Sequence, residues 1–205
     1  KFSDKIKFES NLRFAETYSQ YDKEVHVCGS FDPCTGIAAH NEELDAIQSS
    51  SNVALVYKPN DQLTNKLTFA NTYIKRIAAL TSDNTVNSGN AAQDNYYGDR
   101  YALIYSGNYN FNLDNSIVFG IERENDQMGY NKDMTGRIDD HAYVTSSYFD
   151  YQSRLTNNIY ATLGSRFDEH KHAGNEDSHR VTLAYLFDDK STKLKSSYGT
   201  GFRFP

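Results

Sequence analysis

The sequence predicts an all-β fold, an antiparallel transmembrane β-barrel to which these 205 residues contribute about nine strands. Three observations predict it: long segments with alternating apolar and polar residues, connections that are alternately short and long, and charged residues in the middle of the polar faces. The mean hydropathy is −0.71, and no apolar run approaches the 18 or so residues of a membrane helix. A barrel strand needs only about 9–11 residues with alternate positions apolar, so a hydrophilic average is compatible with a membrane barrel.

The alternating segments are longer than the strands of most soluble domains. The first covers residues 5–18, whereas strands in soluble domains usually have about 5–6 residues. Further alternating segments are predicted at residues 52–58, 63–76, 99–110, 116–126, 140–151, 159–169, 179–187 and 193–205. Six tyrosines near predicted strand ends fit the aromatic girdles of a membrane barrel. They are Tyr18, Tyr57, Tyr73, Tyr101, Tyr109 and Tyr151.

The connections between these segments alternate in length. Residues 59–62 and 112–115 are short turns, whereas residues 19–50, 77–97 and 127–139 are long and polar. Short turns on one side and long loops on the other are typical of an outer-membrane barrel, with the short turns periplasmic and the long loops extracellular. A secreted β-sandwich binding module is the alternative, but its strands are shorter and its core excludes charges in mid-strand.

The first long connection contains both cysteines of the chain, Cys28 and Cys34. Gly29 and Pro33 favour a tight turn between them, and a local disulfide is one prediction. On the chain-entropy model such a bond would stabilise the fold by about 2 kcal/mol. It would also place this loop in an oxidising compartment. Two free thiols are the alternative prediction.

The same connection is acidic and contains a predicted short helix over residues 42–48, which Asn41 would cap. Calcium bound by its carboxylates is one prediction, and a plain acidic surface facing lipopolysaccharide is the other. No other cofactor is predicted. The carboxylates belong to Asp22, Glu24, Asp32, Glu42, Glu43 and Asp45.

A polar cluster near residue 170 contains the candidate metal ligands His170 and His172. A His-x-His pair in a loop can bind a transition metal, and a solvated loop tip is the alternative. The chain has no nucleophile elbow, no phosphate-binding Gly-rich loop and no helix-borne metal motif, so an enzyme is not predicted. The formal net charge is −6, and nucleic acid is not expected as a partner because it needs a surface rich in Lys and Arg.

The end of the chain resembles a segment of a known family. Tyr-Gly-Thr-Gly-Phe-Arg-Phe-Pro at residues 198–205 is similar to the Tyr-Gly-Thr-Gly-Phe-Lys/Arg-Ala-Pro segment in the barrels of TonB-dependent outer-membrane receptors, most of all those of cobalamin transporters and siderophore receptors. The matching residues are Tyr198, Gly199, Thr200, Gly201, Phe202, Arg203 and Pro205. Phe204 stands where the family usually has Ala, and the specific similarity covers residues 159–205.

The resemblance implies a 22-stranded barrel filled by a plug, of which this chain would supply under half. An odd number of strands cannot close a bacterial barrel, so residues 1–205 are expected to form an open part of one barrel domain, with the plug domain and the C-terminal strands outside this sequence. The implied function is active uptake of a scarce, bulky nutrient such as cobalamin or a ferric siderophore across the outer membrane of a Gram-negative cell. A passive porin or structural barrel is the alternative.

The resemblance also implies partners: outer-membrane lipid and lipopolysaccharide, the plug domain, the TonB complex and a small-molecule ligand. Five cations on polar faces are predicted to line the lumen, where they would attract anionic groups of the plug or the ligand. They are Arg13, Arg166, Arg180, Lys195 and Arg203. The alternative is ordinary barrel charge, paired with carboxylates such as Glu9, Glu122 and Asp168 on neighbouring strands.

The alternation over residues 193–205 assigns two faces to the resembling segment. The side with Tyr198 and Phe202 is predicted to meet lipid, and the side with Gly199, Gly201 and Arg203 is predicted to meet the plug. The glycines have a second explanation, since Gly also allows barrel strands to bend.

Overall fold

The computed structural model describes residues 4–27, 36–81, 93–132, 136–188 and 191–202. The strands in these ranges are β1 (Ile6–Val27), β2 (Gly36–Tyr57), β3 (Leu63–Thr81), β4 (Gln93–Asn110), β5 (Asn115–Lys132), β6 (Gly136–Arg154), β7 (Ile159–His170), β8 (Gly174–Leu186) and β9 (Lys193–Gly199). Among the described residues, no helix is long and apolar enough to cross a membrane. The predicted all-β class is confirmed.

All nine strands lie in one antiparallel sheet, in the order of the chain from β1 to β9. Each strand pairs with its neighbour in sequence, and β1 and β9 are the two edges of the described sheet. A β-sandwich needs two sheets that pack face to face, so this alternative is excluded for the described part of the chain.

The strand register separates the side chains into two faces, because directly opposed residues share a face and successive residues alternate. One row across five strands consists of apolar and aromatic residues only: Phe8, Leu55, Leu67, Tyr105 and Ile121. We call this the outer face, and the opposite one the inner face. The six tyrosines predicted to form girdles all lie on the outer face by register.

The outer face is not covered by any described part of the chain. Phe8 and Ile121 are about half exposed, and Leu12 is 80% exposed. The buried apolar residues of the described ranges are only Ala54, Ala102 and Ala184. A sheet that buries so little within itself and exposes so large an apolar area requires an apolar solvent or partner on that face.

The short turns lie together at one end of the sheet and are closed by side-chain acceptors. The Asn60 Oδ1 atom accepts hydrogen bonds from the backbone N–H groups of Gln62 (3.1 Å) and Leu63 (2.9 Å). Asn112 and Thr156 form equivalent contacts in the next two turns. Asn and Thr side chains that bond to nearby backbone favour turns, so local sequence explains where these strands reverse.

The long connections are the part of the fold for which the sequence prediction was wrong. β1 and β2 each have 22 residues, and the described parts of residues 19–50, 77–97 and 127–139 continue the strands. Residues 42–48 belong to β2, not to a helix. They form ladder pairs with β1 on one side and β3 on the other, and hydrogen bonding on two sides overrides a weak local helix signal.

Candidate functional site

The inner face carries ion pairs that join residues of one strand, of neighbouring strands or of strands separated by one other strand. The predicted lumen-facing cations Arg13, Arg166, Arg180 and Lys195 all lie on this face by register. Arg203 lies outside the described residues, as do Pro205 and the two cysteines Cys28 and Cys34. The disulfide therefore stays a prediction.

The densest inner cluster joins β5, β6 and β7 around Arg166. Its Nε atom donates to the Asp168 carboxylate (2.9 and 3.1 Å), and its Nη2 atom donates to the Ser146 hydroxyl at 2.7 Å. Ser146 in turn donates to Asp168 at 2.5 Å. Nη2 also lies 3.4 Å from a carboxylate oxygen of Glu122. Because Ser146 is only 2% exposed and Asp168 only 5%, this carboxylate depends on Arg166 and Ser146 for its polar contacts.

Three smaller groups extend the same pattern along the inner face. Arg100 forms a bidentate pair with Asp126, with N–O distances of 2.6 and 2.9 Å, which is the strong geometry for a guanidinium and a carboxylate. Arg180 contacts Asp150 at 2.9 Å. Glu9 accepts from Lys7 at 2.8 Å and from Lys66 at 2.9 Å. Arg100, Asp126 and Lys66 were not singled out from the sequence. The available signal was their position on the polar side of alternating segments, the same pattern that identified Arg166.

Lys195 and Arg13 differ from these residues. Neither contacts a carboxylate among the described residues, whereas Arg166 and Arg180 both do. The interpretation of ordinary, paired barrel charge therefore fits Arg166 and Arg180. Attraction of anionic groups from outside this sheet stays a prediction for Lys195 and Arg13.

The segment that resembles the family leaves the sheet after Gly199. Strand pairing ends where Gly199 lies opposite Arg180, and Thr200 then holds His179 through two hydrogen bonds of 2.9 Å. Phe202 lines one cavity with Glu124, Val144, Ser146, Arg166 and Asp168 of the inner face. The prediction that Phe202 shares a lipid-facing side with Tyr198 was wrong, because the alternation of a strand no longer applies after Gly199. Tyr198 lies on the outer face and is 77% exposed.

The two glycines of this segment have different surroundings. A Cβ atom at Gly199 would lie 3.0 Å from the His179 carbonyl oxygen, whereas one at Gly201 would meet no atom within 4 Å. The close approach of Gly199 to the β8 backbone thus explains why this position of the sheet has a glycine. Nothing in the described residues explains Gly201.

His170 and His172 lie in and beside the tight turn between β7 and β8. The His170 Nδ1 atom accepts from the backbone N–H groups of His172 and Ala173, each at 3.1 Å, and the two imidazole rings are 6.1 Å apart. Among the described residues, no three His, Cys, Asp or Glu side chains are grouped so that they could hold a metal ion. A metal bound by this pair stays a prediction.

The acidic stretch predicted to bind calcium lies in β1 and β2 where the structure describes it. The Glu43 carboxylate accepts a hydrogen bond from Gln20 on β1 at 2.8 Å. Asp45 lies opposite Tyr18 on the outer face. Calcium in this region is a prediction that these contacts do not test.

A single antiparallel meander with an apolar outer face and an ion-paired inner face is the wall of a membrane β-barrel. A family model for the TonB dependent receptor-like β-barrel matches residues 7–205, and the chain belongs to this family. The predicted resemblance to TonB-dependent receptors is thus confirmed over nearly the whole chain, whereas the likeness to cobalamin and siderophore receptors stays a prediction. The family is one of receptors and not of enzymes.

Comparison with solved structures shows the same fold. The chain is similar to the RagAB peptide importer in its "closed-closed" state, with a TM-score of 0.68, 12% sequence identity and coverage of 97% of this chain. A second structure of the RagAB peptide transporter gives a TM-score of 0.67 at 11% identity, again with 97% of this chain covered. The chain spans 31% of the length of each matched chain. No curated protein matches the chain in sequence.

Proposed function

We propose that the full protein is a TonB-dependent transporter that imports a scarce, bulky nutrient across the outer membrane of a Gram-negative cell. The observation that carries this proposal is the division of one sheet into an uncovered apolar face and an ion-paired polar face, in a chain of this receptor family. The outer face would contact lipid below and lipopolysaccharide above. The inner face would contact a plug domain contributed by another part of the protein.

Energy coupling in this proposal lies outside the described strands. TonB would act on the plug, and the plug would move against the inner face. Lys195 and Arg13 are two inner-face cations that contact no carboxylate among the described residues, which makes them candidates for pairing with anionic groups of the plug or ligand. Arg166, by contrast, is already engaged by Asp168 and Glu122, so it would support the wall.

The identity of the ligand is determined by the residues of the binding site and not by the fold. Cobalamin and ferric siderophores are the ligands implied by the segment at residues 198–205. Peptides are a third candidate, since the structures of similar fold are those of a peptide importer. The proposal therefore covers three ligand classes that share large size and low abundance.

The test uses the full-length gene, expressed in paired strains with and without TonB. Each strain receives radiolabelled cobalamin, a ferric siderophore or a peptide mixture, and accumulation in the cells is measured. We expect one ligand class to accumulate only when both this protein and TonB are present. Equal accumulation in both strains would instead support a passive porin and overturn the proposed active transport.

A further inference from the structure

An apolar patch lies on the inner face at the end opposite the short turns. By register, Tyr96 of β4 lies opposite Tyr130 of β5, which lies opposite Ile138 of β6. The next row of the same face contains Ile74 of β3 and Met128 of β5. We call these five residues the mouth patch. They were not singled out from the sequence, because the predicted loops covered most of them.

Four of the five side chains of the mouth patch are exposed although they are largely apolar, and Tyr130 is half-buried. Met128 is 62% exposed and Ile138 is 59% exposed, the highest values for large apolar residues in the described strands of the inner face. The Tyr96 and Tyr130 rings are stacked, with centroids 4.5 Å apart and planes at 24°. Stacked rings beside two exposed apolar side chains form a surface that suits an apolar or aromatic group of a ligand.

The position of the mouth patch along the strands places it beyond the membrane. Met128 and Tyr130 are 13 and 15 positions after Asn115, the first residue of β5. A tilted barrel strand crosses the bilayer with about 9–11 residues. The mouth patch therefore lies on the extracellular side, at the opening through which a ligand enters.

Tyr130 is held in its neutral form at this position. Burial, followed by a hydrogen bond with Tyr96, raises the pKa of Tyr130 to about 12. The Tyr130 hydroxyl lies 3.3 Å from Asp94 and donates to its carboxylate. Tyr130 therefore presents an uncharged ring at physiological pH, which favours contact with apolar groups.

Opposite charges flank the mouth patch. Arg76 lies opposite Tyr96 on the β3 side, and Asp140 lies opposite Met128 on the β6 side. Arg76 and Asp140 are three strand spacings apart, about 14 Å, and two residues apart along the strands, about 7 Å, so about 16 Å separates their positions on the sheet. Arg76 contacts no carboxylate among the described residues, and Asp140 accepts a hydrogen bond from the backbone N–H of His141.

We propose that the mouth patch binds a short peptide with free ends, about four to five residues long. An extended peptide advances about 3.3 Å per residue, so this length spans the distance between Arg76 and Asp140. The C-terminal carboxylate pairs with the Arg76 guanidinium, the N-terminal ammonium pairs with Asp140, and an apolar side chain rests on the Tyr96 and Tyr130 rings. This inference rests on the proposed uptake function and selects among its ligand classes.

The test measures binding of the pentapeptide Gly-Gly-Phe-Gly-Gly to the full-length protein in detergent by calorimetry. We expect the double variant Tyr96→Ser/Tyr130→Ser to bind it about tenfold more weakly. The matched control is Tyr160→Ser, which changes an inner-face tyrosine beside the short turns and should leave the affinity unchanged. Heat-modifiable migration in detergent gels verifies that every variant is folded.

Blocked peptides test the two charged ends separately. Amidation of the C-terminus should weaken binding to the unaltered protein but cause no further loss in Arg76→Gln. Acetylation of the N-terminus should likewise weaken binding to the unaltered protein but cause no further loss of affinity in Asp140→Asn. Losses that are independent of these variants would overturn the assignment of the ends.

Three outcomes would overturn the peptide site. The first is the absence of measurable peptide binding by the unaltered protein. The second is unchanged affinity in Tyr96→Ser/Tyr130→Ser. The third is a rise in permeability to large antibiotics in that variant with unchanged peptide affinity, since the plug would then be the occupant. If TonB-dependent uptake of cobalamin or a siderophore persists in these cases, the proposed function stands and only the peptide site is lost.

Discussion

At the scale of single residues, Gly199 and Gly201 form a matched pair for mutation. They are two positions apart in the segment that resembles the family, but only Gly199 approaches the β8 backbone. A side chain at Gly199 must displace the His179 carbonyl, whereas one at Gly201 enters open space within the described structure. The pair therefore separates a requirement of the sheet from a requirement of something that packs against it.

We expect Gly199→Leu to impair assembly of the barrel, because the added side chain meets backbone that cannot move without loss of the β8–β9 ladder. Gly201→Leu should assemble normally. The measurement is the fraction of heat-modifiable protein in outer membranes. Normal assembly with reduced uptake in Gly201→Leu would show that this glycine faces the plug, and equal assembly defects in both variants would contradict the prediction for Gly199.

The buried carboxylate of Asp168 gives a second prediction at this scale. Ser146→Ala removes one of its two donors, and we expect a loss of about 1–3 kcal/mol in the free energy of unfolding. Asp114→Ala is the control, since its pair with Arg154 is 3.4 Å long and both side chains are exposed. Its removal should cost less than about 1 kcal/mol. Denaturant unfolding in detergent or lipid gives both values, and equal losses would disprove the importance of burial.

At the scale of strands, the outer and inner faces differ in the solvent they require. Phe69 of β3 lies on the outer face between Val53 and Leu103, and Thr68 lies on the inner face between Ala54 and Ile104. The two residues are adjacent in sequence, so any difference in their tolerance of charge reports on the face and not on the depth. This comparison is the most direct test of the assignment of faces.

We expect Phe69→Arg to lower the free energy of unfolding by about 2–4 kcal/mol, the cost of a cation on the lipid face near the middle of the bilayer. Thr68→Arg should cost less, because its guanidinium reaches the polar inner face. Equilibrium unfolding from lipid vesicles measures both variants. If Thr68→Arg proves as costly as Phe69→Arg, the assignment of the two faces is wrong.

The strands also show which parts of the fold can be predicted from sequence. The alternating pattern identified the part of each strand that lies near the short turns, because lipid requires apolar residues at every second position there. Beyond the bilayer both faces meet water, and residues 42–48 then have no pattern that distinguishes a strand from a loop. The ladder with β1 and β3 decides their structure, and such long-range pairing is not visible in a short window of sequence.

The candidate site was predictable only in part for the same reason. Arg166 and Arg180 were found because they lie on the polar face of alternating segments, while their partners Ser146 and Asp150 depend on the register between strands. Phe202 was assigned to the lipid side because a strand was assumed to continue through it. The mouth patch was missed because four of its five residues, all except Ile74, lie in segments that the sequence assigned to loops.

At the scale of the whole molecule, the chain lacks an apolar core in its described part. Its buried apolar residues are three alanines, so the hydrophobic stabilisation of the wall must come from lipid and not from packing between sheets. Backbone hydrogen bonds between strands supply the rest of the stabilisation, since each strand from β2 to β8 is hydrogen-bonded to a neighbour on both sides. The sheet is therefore expected to be stable only when lipid or detergent covers its outer face.

We expect the full-length protein to remain soluble only in detergent or lipid, and to migrate faster in detergent gels before heating than after. The reason is the uncovered outer face, which water would cause to aggregate. Sedimentation before and after detergent removal measures the effect. A protein that stays monodisperse without detergent would contradict the membrane assignment of the outer face.

The great length of β1 and β2 has a consequence for how such a protein can change over generations. At about 3.3 Å per residue, 22 residues extend about 70 Å, more than twice the apolar thickness of a bilayer. Near the short turns, a one-residue slip would transfer every charge to the lipid face, so this part of a strand tolerates little alteration. Farther out no such penalty applies. The same strand can therefore acquire new contacts for a new nutrient at one end while its other end stays unaltered.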